Sequence, residues 1–189
     1  MEKAYNLKFL FLWGLIIGFS FGCGITEDEN PDLDDLNTSG FFLKAKVNGV
    51  LVEFKQEDMQ LVNIGSAIPG VYELAISAGA SLPDDSGYSE VITLIVRDDS
   101  PIGVKTYDYL RPFTETGFGL KGFILGYLNA SESLGYVTDV DEEDSVLQIT
   151  ELTNTRIRGK FSGIIYEIVS GNTKNITEGE FFLKVDNSN

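Results

Sequence analysis

Residues 41–55 read FFLKAKVNGVLVEFK, and no other stretch of the chain constrains its fold as much. Apolar and polar residues alternate on both sides of Asn48-Gly49. An Asn-Gly pair supplies the two positive-φ positions of a type I′ turn, whose twist matches paired strands. A two-residue turn sets Val47 opposite Val50. One face then carries Phe41, Leu43, Ala45 and Val47 against Val50, Val52 and Phe54. The other carries Lys44, Lys46, Glu53 and Lys55. One dry face and one wet face describe an antiparallel sheet covered on a single side.

The same grammar runs to the C-terminus. MQLVNIG (59–65) is a short candidate strand. In GVYELAISAG (70–79), Tyr72, Leu74 and Ile76 alternate with Glu73 and Ser77. In EVITLIVRD (90–98), Ile92, Leu94 and Val96 point one way. LKGFILGYLNA (120–130) is apolar on both sides, and its Gly122 and Gly126 predict a bulge or a close backbone approach. VLQITELT (146–153), TRIRGKFSGIIYEIV (155–169) and EGEFFLKV (178–185) complete the set. Within 155–169, Ile157, Phe161 and Ile165 face one way, and Arg156, Arg158 and Lys160 the other. Beyond the N-terminal apolar run, no eleven-residue window carries a helical stripe. The expected fold is all-β: an antiparallel β-sandwich of about eight or nine strands, with a closed β-barrel as the alternative. Two intervals are long for tight turns, 80–89 and 110–119, and loops of this kind often carry function.

The N-terminus reads differently. Lys3 and Lys8 precede FLFLWGLIIGFSF (9–21), an uncharged run that suits a secretory leader. It falls short of the about 20 apolar residues of a membrane span. It ends in Ser20-Phe21-Gly22-Cys23, and Cys23 is the only cysteine. Small residues sit three and one positions before it. The arrangement resembles a bacterial lipobox of the looser kind found in Bacteroidota. That resemblance implies cleavage after residue 22 and acylation of Cys23, which becomes the membrane anchor. An ordinary secretory leader that happens to contain a cysteine, or an uncleaved anchor, is the other reading. With Cys23 acylated no thiol remains for a disulfide, so the domain must be stable without one.

The implied organisation is a leader over 1–22, an acidic tether over 23–39 and a single domain over 40–189. Residues 24–39 hold Pro31, six acids and no periodicity, a self-repelling and extended composition. In the same bacteria an acidic stretch just after the acylated cysteine sends the protein to the outer face of the outer membrane. Glu27, Asp28 and Glu29 stand in that place, with a plain solvated linker as the alternative. The expected location is therefore the outer membrane, lipid-anchored and at the cell surface, with a periplasm-facing anchor as the second choice.

The chain has a net charge of −15, and losing Glu2, Lys3 and Lys8 with the leader makes it one unit more negative. Such a charge repels nucleic acid and anionic headgroups, so no nucleic-acid partner is expected. Attachment to a membrane then depends on acyl chains.

The chain also has no histidine. That removes Ser-His-Asp and Cys-His catalysis and histidine zinc sites. Glycine-rich phosphate loops are missing as well. A carboxylate pair could in principle hydrolyse a glycan, and this is the weakest of the functional alternatives. In DVDEEDS (139–145), Asp139, Asp141, Glu143 and Asp144 could ligate calcium. Read as an EF-hand the loop fails, with Asp144 where Gly is needed and Thr150 where Glu is needed. A solvated acidic turn is the favoured reading, and no other cofactor is expected. Asp84-Asp85 and Asp98-Asp99 are weaker calcium candidates. Tyr107 and Tyr109 read as core, while Phe113 and Phe118, on the 110–119 loop, are the ligand candidates. Asp144-Ser145-Val146 resembles a short O-glycosylation motif of the same bacteria.

Ile157, Gly159, Phe161 and Gly163, followed by Ile176, Thr177, Gly179 and Phe181, form a longer pattern. With the hairpin FFLKAKVNGVLVEF it resembles small uncharacterised lipoproteins of Bacteroidota. The resemblance implies an all-β envelope lipoprotein and brings no activity and no site residues with it. The function expected is non-enzymatic: binding or scaffolding of an unknown extracellular or envelope ligand. A lipocalin-like small-ligand carrier is the alternative. It would need a void opposite small residues, and strands rich in Phe, Ile and Leu favour a filled interior.

Overall fold

The Asn48-Gly49 turn forms with both residues at positive φ, 49° and 83°. Strand β1 (Phe42–Val47) returns as β2 (Val50–Lys55) with Val47 opposite Val50. Leu43, Ala45, Val47, Val52 and Phe54 are buried. Val50, at the hairpin tip, lies beyond the cover and is exposed. The structure, a computed structural model, describes residues 40–55, 58–82, 87–112, 119–140 and 142–185. The leader, Cys23, and Glu27, Asp28 and Glu29 lie outside them.

Ten further strands follow. β3 (Met59–Ile68), β4 (Val71–Ser81) and β5 (Tyr88–Asp98) make a meander. β6 (Thr106–Tyr107) and β7 (Arg111–Pro112) are two-residue pieces of the segment that crosses to β8 (Leu120–Asn129). β9 (Leu134–Val137) turns back on β8. β10 (Val146–Leu152), β11 (Arg156–Glu167) and β12 (Thr173–Lys184) form a second meander. The order across the sheet is β2-β1-β12-β11-β9-β8-β5-β4-β3. One edge of β11 is shared: β9 takes its C-terminal end and β10 its N-terminal half.

The antiparallel all-β fold is the expected one. Sandwich and barrel merge in it: one continuous sheet curls until it is nearly closed, with β3 beside β12 and β2 beside β4. Among the described residues twelve strands form, more than the eight or nine that the sequence suggests. The additions are β6, β7 and β9, of two, two and four residues, too short to show a period.

The interior is filled by alternate residues of every long strand. Phe54, Phe123, Phe181, Leu94 and Leu125 are among the largest side chains below 2% exposure. A second, smaller core lies on the other face of β4, β5 and β8. There Ala75, Ile95 and Ile124 are covered by Leu110, with Leu120 and Val137 beside them. This explains why β8 is apolar on both sides. Phe123, Leu125 and Tyr127 enter the main core, and Ile124 enters the second.

The cover is fastened through Gly122. The backbone of residues 108–109 runs against β8, where Phe123 N donates to Asp108 O at 2.7 Å. Gly122 sits at φ +117°, and a Cβ there would lie 2.2 Å from Tyr109 O. Gly126 has only ordinary contacts, the nearest Thr93 Cβ at 3.7 Å. Gly122→Ala is therefore expected to cost about 2 kcal/mol, from backbone strain plus displacement of the cover. Gly126→Ala should stay within about 1 kcal/mol of the parent. Urea midpoints of the two variants check this, and equal midpoints would remove the close-approach account.

Candidate functional site

On the outer face of the sheet, one row of side chains runs straight across six strands. Glu53 on β2 pairs with Lys44 on β1, and Lys44 with Glu180 on β12. Glu180 pairs with Lys160 on β11, Lys160 with Gln148 on β10, and Gln148 with Thr106 on β6. Opposite charges placed directly across strands attract. Lys44 Nζ lies 3.3 Å and Lys160 Nζ 3.7 Å from the Glu180 carboxylate.

The sheet bends along this row. β12 carries residues in excess of both its neighbours near Glu178, and the register shifts against β1 and against β11. Glu178 takes φ 52°, a left-handed backbone that is uncommon outside Gly and Asn. Its carboxylate accepts from Lys46 Nζ at 2.8 Å. Bulges bend strands and re-aim side chains, and strained residues gather at working surfaces. Here the bend opens a groove of about 720 Å³, lined by Lys44, Thr106, Val146, Gln148, Lys160 and Glu180 among others. No local sequence signal announces it, because its walls come from strands far apart in the chain.

The motif of the resemblance has a packing role next to the groove. Gly159 faces Phe181, and Gly179 faces Phe161, across the β11–β12 pair. Each glycine leaves room for the opposite ring. A Cβ at Gly159 would lie 2.5 Å from Phe181 Cζ, and one at Gly179 2.7 Å from Phe161 Cδ2.

Phe113 and Phe118 are outside the described residues, as is Asp141 of the acidic turn. Tyr107 is 4% exposed and exchanges hydrogen bonds with the backbone of Gly103. Tyr109 is half-buried and donates to Glu143 at 3.2 Å. Asp144 accepts from the Tyr166 hydroxyl at 2.8 Å. That bond, with burial and the charges of Glu142 and Asp139, pushes Tyr166 up to about 12. Asp139 accepts the backbone N–H of Val140. Among the described residues no three of these acids converge as a metal site. Glu143 and Asp144 each hold a tyrosine instead. Ser145 is 6% exposed with its Cβ against Gly163, so the short glycosylation motif presents its serine inward.

Asp98 is not a calcium candidate but an ion-pair centre, only 3% exposed. Burial alone would raise its pKa. Hydrogen bonds with the side chains of Lys105, Lys121 and Asp99, and the charge of Lys105, outweigh that and hold it well below the ordinary aspartate value. Lys105 Nζ lies at 2.6 Å and Lys121 Nζ at 3.0 Å. The residue ties the covering segment to β8.

Comparisons with known protein families, with curated proteins and with solved structures found no match. The groove therefore has to be interpreted from its own chemistry. Its carboxylates are held by lysines, and its remaining lining is the Gln148 amide, the hydroxyls of Thr106 and Ser162, Val146, Gly179 and Phe161. That set can bind and orient a polar chain.

Proposed function

We propose that the chain is a lipid-anchored envelope protein whose β-domain binds a ligand outside the membrane, without catalysis, in the groove across β1, β12, β11 and β10. The bent row Lys44–Glu180–Lys160–Gln148 carries this reading, because it is a concave surface with several hydrogen-bonding groups in line. The carrier alternative gains less support, since Phe54, Phe123 and Phe181 occupy the interior. Hydrolysis gains less still. A glycosidase needs one carboxyl group free to act as an acid, and Glu178 and Glu180 each sit against lysine.

The anchor rests on the lone Cys23 at the end of the apolar leader. Cys23→Ser should accumulate as uncut precursor that takes up no labelled fatty acid. Normal processing and labelling of that variant would defeat the anchor. Protease shaving of intact cells should remove the β-domain if the anchor faces outward, and should spare it if the domain faces the periplasm.

A further inference from the structure

Most basic groups away from this face are tied down. Arg97 pairs with Glu73, Lys105 and Lys121 with Asp98, and Lys174 with Glu132. The outer face of β1, β12 and β11 gathers six more. Lys44, Lys46, Arg156, Arg158, Lys160 and Lys184 all stand there, with Glu178 and Glu180 among them and Glu53 and Glu151 on the adjoining strands; Lys46 is held by Glu178 and Arg156 by Glu151. A chain of net charge −15 thus presents one face that is locally positive. Arg158 and Lys160 are 55% and 66% exposed and reach their acids only at 3.9 and 3.7 Å. Exposed pairs of that length hold their partners weakly.

The row beside the groove is aromatic. Phe42 pairs with Phe182, ring centroids 5.0 Å apart and edge to face. The Arg158 guanidinium lies over Phe182 at 4.4 Å, and Lys44 over Phe42 at 5.1 Å. Both rings are partly open to solvent. Adjacent same-face positions along a strand are about 7 Å apart. Charge, ring and amide rows therefore lie within reach of a single extended polymer.

We propose that this face binds a sparsely charged acidic polysaccharide, carboxylates spaced among neutral hydroxyls. The inference rests on the groove reading and names its ligand. Arg158 and Lys160 meet the carboxylates, Gln148 and Thr106 meet hydroxyls, and the rings Phe42 and Phe182 support the apolar sides of the sugars. Two features select this class. The positive patch matches anionic groups, whereas the strongly negative chain as a whole repels a dense polyanion such as nucleic acid. The amide and hydroxyl lining suits a hydroxyl-rich partner better than an acidic peptide or a lipid headgroup.

The test uses the full chain purified in detergent and titrated with hyaluronate oligosaccharide, in which a carboxylate-bearing sugar alternates with a neutral one. The carboxyl-reduced oligosaccharide, polyglutamate and phosphatidylglycerol vesicles are the comparison probes. The expected result is tightest binding to hyaluronate, weakened by salt and by roughly tenfold or more in Arg158→Ala, Lys160→Ala. Both residues are exposed, so that variant should keep the parent urea midpoint. Gln148→Trp, on an exposed strand position, fills the groove and should abolish binding. Equal binding of the reduced oligosaccharide, unmoved by the double variant yet lost in Gln148→Trp, overturns the acidic ligand and leaves the groove standing. Tighter binding of polyglutamate or vesicles overturns the polysaccharide in favour of a peptide or a membrane. Binding that survives Gln148→Trp, or no binding by any probe, overturns both the ligand and the groove.

Discussion

Gly159→Ala should cost the fold at least about 3 kcal/mol, seen as a large drop in urea midpoint. The added Cβ would lie 2.4 Å from the Gln148 carbonyl oxygen and 2.5 Å from Phe181 Cζ. Neither neighbour can yield. Gln148 O belongs to a paired strand, and Phe181 is 1% exposed in the main core. The ring rests over the glycine across the strand pair, an arrangement that recovers the packing a bare glycine forfeits. Phe181→Leu removes part of the ring from that space. The double variant Gly159→Ala, Phe181→Leu should therefore lose less than the sum of the two single changes, since the sites are in contact. Additive losses, or an unchanged midpoint in Gly159→Ala, would remove the ring-over-glycine account.

Removing the carboxylate at Asp98 should be the other severe change, about 3 kcal/mol for Asp98→Ala at neutral pH. The loss has two parts. The charge partners Lys105 and Lys121, and Oδ1 also accepts the backbone N–H groups of Asp99 and Ser100 at 2.8 and 3.4 Å. Asp98→Asn keeps an acceptor for the turn and loses the charge, so it should fall between parent and Asp98→Ala. The folded-state pKa is depressed, so the contribution is fully present above the unfolded aspartate value near 3.9. It is lost as pH falls through the folded value, which lies lower. The gap in urea midpoint between the parent and Asp98→Asn should therefore be widest at neutral pH and narrow in the acid range. A gap that is constant from pH 7 down to pH 2 would show that the charge contributes nothing.

The parts of this fold that can be read from the chain are those decided locally. Asn48-Gly49 fixes the register of β1 on β2, so every inward residue up to the tip follows from it. Two-sided apolarity marks β8 as covered on both faces, though it does not say by what. The cover is the 108–112 segment, whose pairings with β8 are one isolated bridge and the two residues of β7, and which depends on Gly122 accepting a neighbouring backbone. Glu178 sits in a Thr-Glu-Gly run that looks like ordinary strand, and its left-handed turn arises only because β12 must satisfy two neighbours at once. Asp98 reads as a loop acid because Lys105 and Lys121 reach it from beyond its own strand. The groove is illegible for the same reason. Lys160 meets Glu180 across the local β11–β12 pair, but Lys44 becomes a neighbour of Glu180 only after β1 and β12 have paired.

That pairing also sets a clock. β1 lies between β2 and β12, and Phe42 finds Phe182 from almost the opposite end of the described residues. The local hairpins can form as soon as their residues are available, but the join of β1 to β12, one strand in from the β2 edge, is non-local and correspondingly slow. Until the twelve residues of β12 arrive, β1 and β11 each keep an unpaired edge, and Phe161 lacks the glycine it covers. The sheet is thus joined by a strand that arrives late, and a chain still being delivered stays open along the β1–β12 seam until β12 is out.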